Sequence, residues 1–363
     1  MSSLVFNKNF FKLVAKKHLN QKLPMTYSFK NDYSEGAHPL VLQEMMNAQN
    51  VQCGGYGEDE FTHLGKKRIQ AFLQQPNAAI HFVSGGTQAN LIVISALLKP
   101  YESVIAASTG HIAVHETGAI EAVGHKVHTI DTEDGILRPA DVEQILDQHK
   151  DEHSVKPKLV YISNATELGT VYSKKQLKYL SDYCRSAGLL LYMDGARLGA
   201  ALMSAESDLS LTEIAQLVDV FYIGATKNGA YLGEAIVIIE NDLQRYFRYH
   251  LKQKGALLAK GSLLGLQFSA LFDNGLFFDL AAHANKMAQK LAAAFQERNF
   301  TFFAAAVSNQ IFPILTLDLI ERLQEEFQFY IWKELGNNQA VVRIVCSWAT
   351  PEEKVDEFIS CLP

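Results

Sequence analysis

Residues 158–197 read KLVYISNATELGTVYSKKQLKYLSDYCRSAGLLLYMDGAR. An apolar run from Lys158 to Ser163 is followed by an amphipathic stretch, Lys174 to Ala187, and by a second apolar run, Leu189 to Met193. That succession predicts strand, helix, strand, the unit of a parallel sheet, because two parallel strands need a long crossover between them. The same alternation continues outward. Toward the N-terminus it predicts strands at Ala79 to Val83, Ser103 to Ala107 and Lys126 to Ile130, with helices at Thr87 to Leu98 and Arg138 to His149. Toward the C-terminus it predicts strands at Val218 to Ile223 and Glu234 to Ile239, with a helix at Leu211 to Leu217. The expected fold class is therefore α/β: a large, doubly wound, mostly parallel sheet with helices on both faces.

After about residue 255 the pattern changes. Leu263 to Phe272 and Leu280 to Phe295 read as long helices, Ile311 to Leu317 and Val341 to Cys346 as short strands, and Pro351 to Ile359 as a closing helix. This predicts a smaller α+β C-terminal domain. The expected division is a basic N-terminal arm at 1–30, a large domain at 31–255 and a small domain at 256–363. Residues 1–31 carry six lysines, no arginine and no acid. Lacking Arg enrichment, a long apolar core and a small-residue cleavage site, the arm reads as a surface helix packed on the body or on a partner subunit.

Composition narrows the function classes. The 363 residues are 48% hydrophobic and 20% charged, an ordinary globular balance that excludes fibrous and disordered classes. Apolar runs such as Leu91 to Ile94 and Ala235 to Ile239 fall far short of the roughly 18 residues a membrane span needs. A formal net charge of −6 repels a nucleic-acid backbone. Cys53, Cys184, Cys346 and Cys361 are scattered without a CxxC pair, which fits reduced thiols in a cytoplasmic protein.

Ligands on doubly wound sheets bind beyond the carboxyl ends of the strands. The first strand runs into Ser84-Gly85-Gly86-Thr87-Gln88-Ala89-Asn90, where two glycines allow close backbone approach and a helix N-terminus offers free N–H groups to an anion. The sequence is neither a Walker A motif nor GxGxxG. Strand Leu189 to Met193 ends in Asp194-Gly195-Ala196-Arg197, and a carboxylate leaving an apolar strand must be solvated or paired. Strand Val218 to Ile223 ends in Gly224-Ala225-Thr226-Lys227, where desolvation would depress the amine's pKa and favour its use as a nucleophile. An Asp194–Arg197 or Asp194–Lys227 structural pair would place the same residues there. Taken together, a phosphate cradle, an Asp and a Lys on neighbouring strand ends match the phosphate, ring nitrogen and aldehyde of pyridoxal 5'-phosphate. His111 and His115 lie four apart, but no third ligand follows at a telling spacing, so no metal site is expected.

In the order Ser84-Gly85-Gly86-Thr87, Asp194-Gly195-Ala196-Arg197 and Thr226-Lys227 the chain resembles the threonine aldolase and aromatic β-eliminating lyase family of fold-type-I, pyridoxal-phosphate-dependent enzymes. Asn31-Asp32-Tyr33, the segment Gly54 to Asp59, Gly110-His111 through Gly118, and Val342-Arg343-Ile344 match as well, so the resemblance runs from about Ser28 to Trp348. It implies Lys227 as the cofactor-bearing lysine, Asp194 on the pyridine nitrogen, and Gly86, Thr87 and Gln88 at the helix N-terminus on the phosphate. Thr226 and Lys254 are added phosphate candidates. It further implies His111 stacked on the ring near the substrate hydroxyl and Arg343 on the substrate carboxylate. Asn31 and Arg197 would assist there, or Arg197 would bond the cofactor's phenolic oxygen, and Tyr56 would close the pocket.

Two departures stand out. Glu167 occupies the place where relatives often carry a second His, and the lysine motif reads Thr-Lys-Asn-Gly. A Glu can still take a hydroxyl proton. The implied function is cleavage of a small β-hydroxy-α-amino acid to glycine and an aldehyde, with His111 or Glu167 as base. β-Elimination and a non-catalytic cofactor-binding protein are the alternatives. A homodimer or homotetramer is implied too.

Overall fold

The computed structural model describes residues 26–363. Residues 1–25, most of the basic arm, lie outside the described residues. The sheet strands are β1 (Ala79–Val83), β2 (Glu102–Ala107), β3 (Val127–Ile130), β4 (Lys156–Ser163), β5 (Leu190–Asp194), β6 (Val220–Gly224) and β7 (Glu234–Ile238). They lie in the order β3-β2-β4-β5-β6-β7-β1. All pairings are parallel except those of β7, which runs antiparallel to both β6 and β1. Its first residue, Glu234, therefore pairs with Gly224 and Val83 at the carboxyl ends of its neighbours.

Two glycines fix how closely β5 and β6 end. A Cβ at Gly195 would stand 1.8 Å from the Tyr222 carbonyl oxygen, and one at Gly224 would stand 2.5 Å from that of Ala196. Any side chain at either position would separate the segments that carry Asp194 and Lys227. The crossover helix Lys174–Ser186 is held at its start by a capping box of Ser173 and Gln176.

The C-terminal elements form an antiparallel sheet from Gln310–Ile311, Ile314–Thr316, Tyr330–Gly336 and Gln339–Val345. The single strand expected at Ile311 to Leu317 is broken, because Pro313 has no N–H to give a ladder, and Thr316 instead caps a helix at Leu317–Gln324. Leu264, Phe268, Leu271 and Phe277 pack in the core of the large sheet, whereas Met287, Leu291 and Phe295 pack with the C-terminal strands. Helix Leu276–Glu297 thus crosses from one core to the other. The chain enters through the second core as well: the Phe29 N–H donates to the Gln328 carbonyl at 2.7 Å, and its carbonyl accepts from Val345 at 2.9 Å. This delivers Asp32 to Arg197, just beyond the carboxyl end of β5. No helix among the described residues is long and apolar enough to cross a membrane.

Candidate active site

Two cavities of about 280 Å³ each open beyond the carboxyl ends of the strands and share Tyr33, His111, Glu167, Arg197 and Lys227 as walls. One is closed by Gly86, Thr87, Asp194, Thr226 and Glu234; the other by His115, Gln310, Trp332 and Arg343.

In the first cavity Gly85 starts helix Gly86–Leu97 without any side-chain cap, so the first-turn N–H groups remain open to an anion. Gln88, expected beside them, faces elsewhere. Its Oε1 accepts from the Ser84 N–H at 3.1 Å and hydroxyl at 2.9 Å, and its amide donates to the Lys254 carbonyl, so it braces the turn. Asp194 is 4% exposed and accepts four hydrogen bonds, from Tyr161 (2.7 Å), Tyr222, Asn90 (3.1 Å) and the Ala196 N–H (3.0 Å). Such donors hold a buried carboxylate in place without a cation touching it. Lys227 makes no hydrogen bond or ion pair with the described residues. Burial pulls its amine down to about 8, with the Arg197 charge adding to the drop and Asp32, Asp194 and Glu234 opposing it. Glu234 is pushed up by burial, to about 8, although Thr226 donates to it at 2.9 Å and the Ala225 N–H at 3.2 Å.

In the second cavity Arg343 directs Nε and Nη2 to Gln310 Oε1, at 3.1 and 2.6 Å, and its guanidinium lies 5.7 Å from the centre of the Trp332 ring. Burial and the nearby Arg197 charge lower its pKa to about 10. Arg197 itself is clamped: Nε and Nη2 donate to the two oxygens of Asp32 at 2.7 and 2.9 Å. Burial raises the Asp32 carboxyl, but the charges of Arg197 and Lys227 and hydrogen bonds from Arg197 and Asn309 outweigh it and hold the group at about 2. Glu167 Oε1 accepts the His111 backbone N–H at 2.9 Å and the Ser163 hydroxyl at 2.8 Å, and burial followed by the Asp194 charge raises its pKa.

The remaining expected residues stand apart. Asn31 folds back on Tyr33 and Ser34 in a turn, Tyr56 lines a separate water-sized cavity with Arg248 nearby, and Lys254 bonds its neighbour Gln253.

The sequence matches the family described as beta-eliminating lyase over residues 36–317. The chain belongs to the β-eliminating lyase family. It is 33% identical, over 91% of its length and 95% of the relative's, to a low-specificity L-threonine aldolase of Pseudomonas sp.. The solved structure of a threonine aldolase from Leishmania major superposes with a TM-score of 0.91 at 48% identity, covering 92% of this chain and 98% of that one. Aspartate aminotransferase from Thermus thermophilus, 14% identical with a TM-score of 0.69, covers 99% of this chain and 96% of its own, and shares the fold.

The β-eliminating lyase cavity fits a pyridoxal phosphate by its donor set. Uncapped N–H groups, a buried amine and a buried carboxylate anchored by Tyr161, Tyr222 and Asn90 line one cavity, and they are the groups that an anion, an aldehyde and a ring N–H call for. Tyr161, Tyr222, Glu234, Gln310 and Trp332 join the site without having been singled out in the sequence, and Asp32, Asn90 and Glu116, which stood in matching segments, join it without having been given a role. One signal was available for Tyr161, Tyr222 and Asn90: a buried Asp194 must find donors, and these residues lie on the strands and helix beside it.

Proposed function

We propose that this chain is a pyridoxal-phosphate-dependent lyase that cleaves β-hydroxy-α-amino acids, with threonine to glycine plus acetaldehyde as the reference reaction. The carrying observation is the cavity that joins Lys227, Asp194 and an uncapped helix N-terminus to a second chamber ending in Arg343. The likeness to threonine aldolases supports the same reading.

In this reading Lys227 would hold the cofactor's aldehyde carbon, Asp194 would serve its ring nitrogen, and Gly86, Thr87 and the first helical turn would hold its phosphate. Thr226 steadies Glu234 beside them. When bound, the cofactor supplies a sink for the electron pair left at Cα. Arg343 pairs with the substrate carboxylate, and its fork is pre-aimed by Gln310 and Trp332. Arg197, anchored on Asp32, forms part of the wall shared by the two chambers. His111 receives the β-hydroxyl proton as the Cα–Cβ bond breaks and the carbonyl forms. Glu167 is less suited to that step, since its Oε1 already accepts the Ser163 hydroxyl and the His111 backbone N–H.

A homodimer or homotetramer belongs to this reading. Leu40, Met46 and Val51 are exposed, and Met45 and Val51 line a cavity of about 670 Å³. Tyr56 and Lys254, which lie off the site of their own chain, would then serve a neighbouring one. A cytoplasmic location fits four free cysteines.

The test is to incubate the cofactor-loaded protein with threonine, phenylserine, tyrosine and tryptophan. Glycine and aldehyde in equal amounts are expected from the first two. Keto acid with ammonia would move the assignment to β-elimination, and no product from any substrate would favour a binding protein.

A further inference from the structure

The His111 imidazole is held from behind. Its Nδ1 lies 2.8 Å from Glu116 Oε1, and the same oxygen accepts a 2.6 Å hydrogen bond from the Asn90 amide. The Asn90 nitrogen also donates to Asp194 Oδ2 at 3.1 Å, while its carbonyl oxygen accepts from the Tyr192 hydroxyl at 2.8 Å. Because ionised carboxylates only accept, Glu116 and Asp194 draw the amino end of Asn90 toward themselves and leave its carbonyl oxygen to the Tyr192 hydroxyl. One hydrogen-bonded line therefore runs from His111 through Glu116 and Asn90 to Asp194.

Glu116 is buried, and its Oε2 has no partner among the described residues. The described lysines and arginines make no ion pair with it; its ionic contact is the imidazole. A buried carboxylate left half unsatisfied is costly to hold. The other end of His111 is fixed too, since its backbone N–H donates to Glu167.

We propose that Glu116 is the positioning residue that keeps the His111 proton on Nδ1, so that Nε2 presents a lone pair to the substrate hydroxyl, and that Asn90 ties this imidazole to the Asp194 carboxylate. An ionised carboxylate can only accept, so the nitrogen facing it must carry the hydrogen. When the β-hydroxyl proton moves to Nε2, its O–H pair becomes the aldehyde carbonyl bond and the Cα–Cβ pair stays on Cα. The imidazolium then formed is neutralised by Glu116. The purpose of this arrangement rests on the lyase reading, but its geometry does not.

The test uses nitrogen-15 labelling of the histidine rings in the cofactor-loaded protein, with His111 assigned by the signals lost in His111→Gln. At a pH where the ring is neutral, the wild type is expected to carry the hydrogen on Nδ1. Glu116→Ala should shift it to Nε2 or to a mixture. Glu116→Gln keeps the shape and an acceptor oxygen, so it should keep the tautomer but lose kcat for glycine formation about ten- to a hundredfold with little change in KM. This isosteric variant also keeps the proposal testable if Glu116→Ala does not fold. A wild-type ring protonated on Nε2, or a Glu116→Gln enzyme with unchanged kcat, overturns the proposal. The expected tautomer together with an enzyme that cleaves no β-hydroxy amino acid would support the positioning and overturn the lyase reading instead.

Discussion

The end of the site that faces Asp194 is built from neighbouring strand ends, whereas the end that faces Arg343 is gathered from opposite ends of the chain. Gly86 follows β1, Asp194 closes β5 and Lys227 follows β6, each within a few residues of an apolar run. Asp32, by contrast, meets Asn309 across 277 positions, and Arg343 reaches its place through strand pairing and Gln310. The first half is set by local chain geometry, with glycines that let β5 and β6 close up. The second depends on the C-terminal sheet and the incoming segment at Phe29 docking correctly. Changes in the first half should therefore strike turnover, and changes in the second should strike stability and substrate affinity.

The largest effect is expected at Lys227. Lys227→Ala should lower glycine formation by at least about 10⁴-fold and remove the visible absorbance of the bound cofactor, read in a spectrophotometer. Substantial residual turnover would detach the first half from the chemistry. In the second half, Asp32→Asn strands the buried Arg197 and should cost about 3–5 kcal/mol in urea unfolding. The pH dependence sharpens this. The Asp32 pKa falls from 3.8 to about 2 on folding, so its contribution of about 2 kcal/mol is fully present above pH 4 and is lost as the pH falls through 2. The gap in unfolding midpoint between wild type and Asp32→Asn should narrow over that window.

Asp194→Asn keeps the shape and removes the charge. It should lower kcat by about 10²–10³-fold with a smaller change in KM, measured with saturating cofactor. Arg343→Lys keeps the charge and loses the fork. Its expected result is a rise in KM of about ten- to a hundredfold with kcat largely retained. A kcat effect at Arg343 as large as that at Asp194 would erase the contrast between the two halves.

That contrast also explains what could be read in advance. Asp194, Lys227 and the Gly86-Thr87 turn were legible because each punctuates an apolar run with a residue that such a run cannot bury without a reason. Glu234 was not, since it begins its strand: only the antiparallel course of β7 brings it to the carboxyl edge. Tyr161 and Tyr222 read as strand core, and their role shows only when the lone pairs of Asp194 are counted. Gln88 stood beside the expected anion end, yet its carbonyl oxygen serves Ser84. Helices Pro39–Asn47 and Glu60–Leu73 flank the glycine-rich segment 54–57, which breaks the periodicity that would have marked them. Strand Tyr330–Gly336 escaped for another reason: it is largely exposed and carries Lys333 and Glu334.

The central claim, that this site breaks the bond between Cα and Cβ, is most directly tested with threonine labelled with carbon-13 at both positions. The account predicts that the carbon–carbon coupling in the NMR spectrum disappears as the two labels part into glycine and acetaldehyde. A keto acid in which the two labelled carbons remain coupled would contradict it.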